Sequence, residues 1–138
     1  MPINYLIVNT DGESFVDITE KVRLSSKELC QEKEGLLYLF IQHTSCALTI
    51  NESFDPSAKV DLENFMKHMA PRNLPFITHT SEGEDDSPSH MKSILLNQNL
   101  IIPIVHGQME LGQWQGIYLA EFRDFKKQRK ILLKFIEG

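Results

Sequence analysis

Three histidines, His43, His79 and His90, and four acids, Glu52, Asp55, Asp85 and Asp86, are the residues of this chain best suited to chemistry. Three neutral imidazoles, or two with a carboxylate, that leave one position open are what a catalytic Zn²⁺-like site requires. The histidines lie 36 and 11 residues apart, unlike the tight spacing of a His-Glu-x-x-His helix, so only the fold can bring them together. Each also has a plainer role open to it, as a hydrogen-bonded structural residue. The run Glu82-Gly83-Glu84-Asp85-Asp86 is either a solvated loop or a source of oxygen ligands and of acceptors that orient an imidazole. Asp85 and Asp86, nearest to His90, are its strongest candidates. An acid such as Glu52 is the candidate general base.

These residues need elements to aim them. Leu36-Leu37-Tyr38-Leu39-Phe40-Ile41 and Cys46-Ala47-Leu48-Thr49-Ile50 are apolar runs of strand length. The polar Gln42-His43-Thr44-Ser45 between them interrupts the pattern where a core gains nothing. Asp55-Pro56 starts a helix, because the Asp side chain accepts from first-turn N–H groups and proline suits the first helical position. Val60, Leu62, Phe65, Met66 and Met69 then recur at helical spacing until Pro71, which predicts a helix with one face packed on a sheet. Ser87-Pro88 repeats the signal, so a short helix runs to about Leu96 with His90 in its first turn. Residues 71 to 87 form the longest irregular stretch, and loops of that length in a small domain tend to be functional or disordered.

Elsewhere, Asn4 to Val8 and Phe15 to Ile18 flank Asp11-Gly12 and read as a β-hairpin. Thr19 to Gly35 reads as a helix. Leu100 to Val105, Gly116 to Phe122 and Lys130 to Ile136 read as three strands, the last two joined by the charged turn Asp124 to Arg129. The fold class is α+β. The 138 residues, 41% apolar, suit one domain over residues 1–138 with a single core.

Fourteen Lys and Arg against 19 Asp and Glu give a net charge of −5, which argues against a broad grip on nucleic acid. The cluster Arg123, Lys126, Lys127, Arg129 and Lys130 reads as a solvated hairpin turn. Cys30 and Cys46 are expected to be reduced and buried. No run approaches the roughly 20 apolar residues of a membrane span, and Met1-Pro2-Ile3-Asn4 does not open a signal peptide; a cytoplasmic location without a membrane partner is the expectation. Gly112-Gln113-Trp114-Gln115-Gly116 sets a Trp between glycines, either as a core residue at a turn or where a ligand or another chain approaches closely. There is no Gly-x-Ser-x-Gly elbow and no phosphate loop.

In order and spacing, Gln42-His43-Thr44-Ser45, Leu48 to Glu52, Asp55-Pro56, Ser89-His90-Met91-Lys92-Ser93 and Gly112 to Tyr118 resemble the YjbQ family, also called UPF0047, from about residue 4 to 137. The joint occurrence of these blocks is far more specific than any one of them. The resemblance implies a β-sandwich of about seven strands in two sheets with a few helices, assembled as a homotrimer around a three-fold axis. It implies a divalent metal, Zn or Mg/Mn, at His43, His79 and His90; Glu52 and Asp55 are the expected catalytic acids. Thr44, Ser45, Asn51, Asp85, Asp86, Lys92, Trp114 and Gln115 would position these groups or touch the substrate. The implied activity is that of a secondary thiamine-phosphate synthase, a transfer that releases pyrophosphate and acts on a small phosphorylated metabolite. A metal-dependent hydrolase and a non-catalytic trimeric metal- or metabolite-binding protein are the alternatives. Two positions depart from many relatives: Ile77 stands where they carry Tyr, and Gln108 where they carry Arg. The second change removes a five-donor cation from any phosphate site carried over.

Overall fold

Strand β8 (Lys126–Glu137) organises the larger sheet, because its alternating Arg129, Ile131, Leu133 and Phe135 all point inward. In the computed structural model, which describes residues 3–138, β8 pairs antiparallel with β1 (Ile3–Asp11) on one side and β3 (Gly35–Ile41) on the other. Strand β5 (Asn99–Val105) and the two-residue β6 (Gln108–Met109) extend this sheet to the order β1-β8-β3-β5-β6. The smaller sheet holds β2 (Ser14–Asp17), β7 (Gln115–Glu121) and β4 (Cys46–Glu52) in the order β2-β7-β4. The main core lies between the sheets, where Leu37, Leu39, Ile131 and Leu133 pack with Leu48, Ile117 and Leu119. Helix α1 (Thr19–Cys30) closes it with Val22, Leu29 and Cys30. Each such fully buried side chain contributes roughly 1.5–3 kcal/mol.

The smaller sheet is covered on its other face too. Phe15, Ala47, Tyr118, Ala120 and Phe122 form a second cluster with Met66 of helix α2 (Pro56–Met69), which is why β7 is buried at nearly every position. Asp55 caps α2 as expected, accepting from the Ser57 N–H at 2.9 Å, with Pro56 following. The packing expected of α2 is only partly realised, since Val60, Phe65 and Met69 remain exposed. Helix α3 (Asp86–Ser93) is buried along much of its length and contacts β4. Both cysteines are free and buried, as expected.

Two expected hairpins do not form. β1 and β2 lie in different sheets, and so do β7 and β8. Each turn instead carries the chain across from one sheet to the other: Gly12 has φ +91° and Phe125 has φ +67°, and the Gly12 N–H donates to the Phe125 carbonyl at 3.1 Å. The apolar faces explain it, because Val8 belongs to the main core and Phe15 to the second cluster. Counting β6, the described residues hold eight strands rather than about seven.

Arg129, read from sequence as part of a solvated basic turn, is buried. Its Nε donates to Glu121 Oε1 at 2.7 Å and Nη2 to Glu121 Oε2 at 2.5 Å, while Nη2 also reaches Ser45 Oγ at 2.9 Å. The Thr10 hydroxyl donates to Glu121 Oε1 at 2.6 Å. One buried carboxylate therefore joins β1, β7, β8 and the segment before β4. Burial alone would raise the Glu121 pKa, but the Arg129 and Thr10 hydrogen bonds, the Arg123 N–H and the Arg129 charge outweigh it and hold the group below its ordinary value. Because the folded-state value is depressed, the pair stabilises the fold fully above the ordinary glutamate range near about pH 4.3. That contribution is lost as pH falls through the folded-state value. Glu121→Gln, which leaves Arg129 buried without its counter-charge, should cost about 3–5 kcal/mol in urea denaturation at pH 7. It should also flatten the acid limb of stability against pH; wild-type stability at both pH 7 and pH 4 would contradict this role.

Candidate metal centre

Helix α3 begins at Asp86, one residue before the expected start at Ser87. Asp85 occupies the cap position without capping, because its Oδ2 is used elsewhere, accepting from Arg123 Nε at 2.9 Å and from the Asp124 N–H at 2.7 Å. Burial alone would raise the Asp85 pKa; those hydrogen bonds and the Arg123 charge outweigh it and hold the group below its ordinary value. The Ser89 hydroxyl donates to the Asp86 carbonyl and that of Ser93 to the Ser89 carbonyl, which ties the helix internally.

Asp86 and His90 stand four residues apart, on the same face of α3. His79 reaches that face from the long loop between α2 and α3. Asp86 Oδ2 lies 2.7 Å from His79 Nε2, and Asp86 Oδ1 lies 3.2 Å from His90 Nε2. The imidazole centroids are 5.5 Å apart, and one ligand atom from each of the three residues falls within 4.8 Å of the others. The carboxylate is buried, whereas His79 is 54% exposed. A pocket of about 270 Å³, lined by Arg72, Ile77, Thr80 and Glu84, opens beside His79.

Two neighbours fix the geometry. His90 Nδ1 lies 2.8 Å from the Thr44 carbonyl oxygen, and a carbonyl can only accept, so Nδ1 carries the proton and Nε2 faces Asp86. Arg123 clamps the acidic pair: Nη1 donates to Asp86 Oδ1 at 2.7 Å, Nε to Asp85, and Nη2 to the Glu82 carbonyl at 3.0 Å. Sequence reading missed this role for Arg123, which it placed in a solvated turn. The only available signal was charge complementarity to the 82–86 run, across about 40 residues of chain.

The structure does not gather all the candidates. His43 stands outside the three-residue group; its Nε2 accepts the Lys130 N–H at 2.9 Å. Burial, and then the Arg129 charge, lower its pKa, as suits an imidazole that accepts. The expected convergence of His43, His79 and His90 thus becomes His79, Asp86 and His90, because His43 points to β8 while its neighbour Thr44 turns to His90. Ser45 serves the buried Arg129. Glu52 lies at the other end of β4 from Thr44, about 20 Å along an extended strand. Its Oε2 accepts from the N–H groups of Phe54 at 2.5 Å and Asp55 at 3.0 Å, so its contacts shape the entry to α2. Asp55 is spent on the cap and Asn51 on the Glu52 N–H. Trp114, half exposed, meets Phe54 edge-on at 5.0 Å. Gln115 accepts from the Gly112 N–H at 2.8 Å. The close approach allowed by Gly116 is filled by this chain's own Ser53. Lys92 is buried, paired with Glu13 at 2.6 Å.

Comparison with known proteins identifies the family. The family model described as UPF0047 protein YjbQ-like matches residues 4–138. The UPF0047 protein YjbQ of Escherichia coli is 36% identical over 127 residues, covering 92% of this chain and 91% of that protein. A UPF0047 protein of Methanocaldococcus jannaschii is 38% identical over 136 residues, covering 99% and 94%. Among solved structures, a conserved hypothetical protein of Thermus thermophilus superposes with a TM-score of 0.85 at 37% identity, covering 96% of this chain and 99% of that one. Sequence, length and fold agree, and the chain belongs to the YjbQ-like UPF0047 family.

Proposed function

We propose that His79, Asp86 and His90 hold one divalent metal ion, and that the protein is a metal-dependent enzyme acting on a small phosphorylated metabolite. One observation carries the reading: both ring nitrogens of His90 face oxygen acceptors, Thr44 O at 2.8 Å and Asp86 Oδ1 at 3.2 Å. A neutral imidazole has one N–H, so either a second proton or a cation must sit between Nε2 and Asp86. The donor set fits a metal. Tetrahedral ligands at 2.0–2.1 Å are about 3.3 Å apart, close to the His90 to Asp86 separation. Two imidazoles and one carboxylate favour Zn over Mg or Mn, which prefer oxygen ligands.

A bound ion of this kind would supply Lewis-acid stabilisation to a phosphoryl oxygen or to a leaving pyrophosphate. The protein's own groups do the positioning. The Thr44 carbonyl fixes the His90 tautomer, Arg123 holds Asp86 in place and shares its charge, and the exposed edge of His79 leaves an approach from the 270 Å³ pocket. That opening supports an enzyme rather than a closed structural site. The reaction implied by the family resemblance is thiamine-phosphate synthesis, in which the methylene carbon on the pyrimidine bonds to the thiazole nitrogen as its pyrophosphate departs. Metal-assisted hydrolysis would use the same centre. The hydrogen bonds of Glu52 favour a structural role for it over that of base in either reaction.

A homotrimer accompanies this proposal. The outer face of the larger sheet leaves Tyr5, Ile7, Leu36, Ile101, Val105 and Ile136 exposed, an apolar face of the kind that subunit contacts cover. A second copy is the occupant expected, under closed rotational symmetry.

His90→Ala should lower metal content at least about tenfold, by elemental analysis after dialysis against equimolar zinc, and any synthase activity with it. Glu52→Gln should leave metal content unchanged and chiefly lower stability. Metal content equal to wild type in His90→Ala would contradict the centre. Acidification should empty it, because protons compete for both imidazoles. Light scattering should give a mass near three times 15.9 kDa; the monomer mass at micromolar concentration would contradict the trimer.

A further inference from the structure

On α3, Lys92 stands about 200° around the helix from His90, so the same short helix presents a second functional side chain away from the metal centre. There it lines a cleft of about 420 Å³ together with Glu13, Lys67, Pro71, Arg72 and Asp124, a volume within the range of small-molecule sites. Lys92 is only 2% exposed. Its ammonium has three donors; one reaches Glu13 Oε2 at 2.6 Å, and Nζ also lies 5.3 Å from the centroid of the Phe122 ring. Arg72 donates through Nη1 and Nη2 to the two oxygens of Asp124, each at 2.7 Å. Its Nη2 also lies 3.6 Å from Glu13 Oε1, and the guanidinium's five N–H groups exceed the two given to Asp124. Lys67 adds a third cation, from α2.

The wall thus carries three cations and two carboxylates, a local positive excess in a chain of net charge −5. The cations come from three different elements, α2, the following loop and α3, which meet at this cleft. We propose that this cleft is an oxyanion site that binds the phosphate of the substrate through Lys67, Arg72 and Lys92. The cleft adjoins the centre. Arg72 also lines the pocket beside His79, and Asp124 is linked through its N–H to Asp85, which shares Arg123 with Asp86. The proposal rests on the metal-centre reading only for the identity of the molecule that carries the phosphate. Phosphate in place of carboxylate follows from the number of donors, since three cations lining one cleft match the several oxygens of a phosphate better than the two of a carboxylate.

The test is calorimetric titration of the purified full-length chain with inorganic phosphate, and separately with acetate. It is run on wild type and on Lys67→Ala, Arg72→Gln and His90→Ala. The two exposed cleft positions avoid removing buried Lys92, whose loss would leave Glu13 unpaired. The expected result is saturable phosphate binding that weakens about tenfold or more in both cleft variants, with acetate weaker throughout and the cleft's phosphate binding retained in His90→Ala, which removes only what the metal itself adds. That last arm separates the cleft from the centre, because His90→Ala loses metal without losing phosphate if both readings hold. Equal phosphate affinity in wild type and both cleft variants, acetate binding as tight as phosphate, or loss of phosphate binding only in His90→Ala would each overturn the proposal.

Discussion

The buried pair of Glu121 and Arg129 is the contact from which the rest of the structure takes its bearings. Two charges removed from water are tolerated only when their remaining hydrogen-bonding capacity is met, and Thr10, Ser45 and the Arg123 N–H meet it. Those partners come from both sheets, at the corner where the chain twice crosses between them. Ser45 precedes β4 and follows Thr44, whose carbonyl orients His90. Arg123 follows β7 and, with its backbone held by Glu121, extends its guanidinium to Asp85 and Asp86. The acceptor and the cation that shape the candidate centre are therefore set by one ion pair in the core. This gives a physical reason for a costly buried charge where an apolar pair would serve stability as well.

Helix α3 divides two kinds of work. Asp86 and His90, four residues apart, lie on one side, and Lys92 reaches the charged cleft on the other. Such a helix needs little intrinsic propensity, because its stability comes from burial and from hydrogen bonds at both ends. Asp85 gives up its capping role to bind Arg123, so the helix start is tied to β7 rather than capped locally. The candidate centre is tied by hydrogen bonds on its buried side and exposed at His79, which arrives from a loop. That combination suits a site that keeps its ligands fixed while admitting a substrate.

Local patterns in the sequence carried a large part of this. The apolar runs at 36–41 and 46–50, the Asp55 cap and the proline at the start of α2 are short-range signals, and each appears where expected. The two hairpins failed because a turn signal at Asp11-Gly12 says that the chain reverses, not whether the next strand stays in the same sheet; that depends on which cluster Val8 and Phe15 join. Arg129 and Arg123 read as a basic surface turn because their partners, Glu121 and the 85–86 acids, become neighbours only through the sandwich. His79 and His90 do lie together, but no spacing could show that Asp86, rather than His43, stands with them. The deciding contact, Lys130 N–H to His43 Nε2, belongs to long-range pairing with β8.

The protonation of the His90 ring tests the account most directly, since the whole reading of the centre turns on which nitrogen is free. Long-range ¹H–¹⁵N correlation spectra of the full-length protein, recorded before and after addition of zinc, report the two nitrogens separately. The account predicts that Nδ1 keeps its proton throughout while Nε2 moves to a metal-bound shift at one equivalent of zinc. A ring protonated on Nε2 alone, or an Nε2 signal unchanged by zinc, would contradict it.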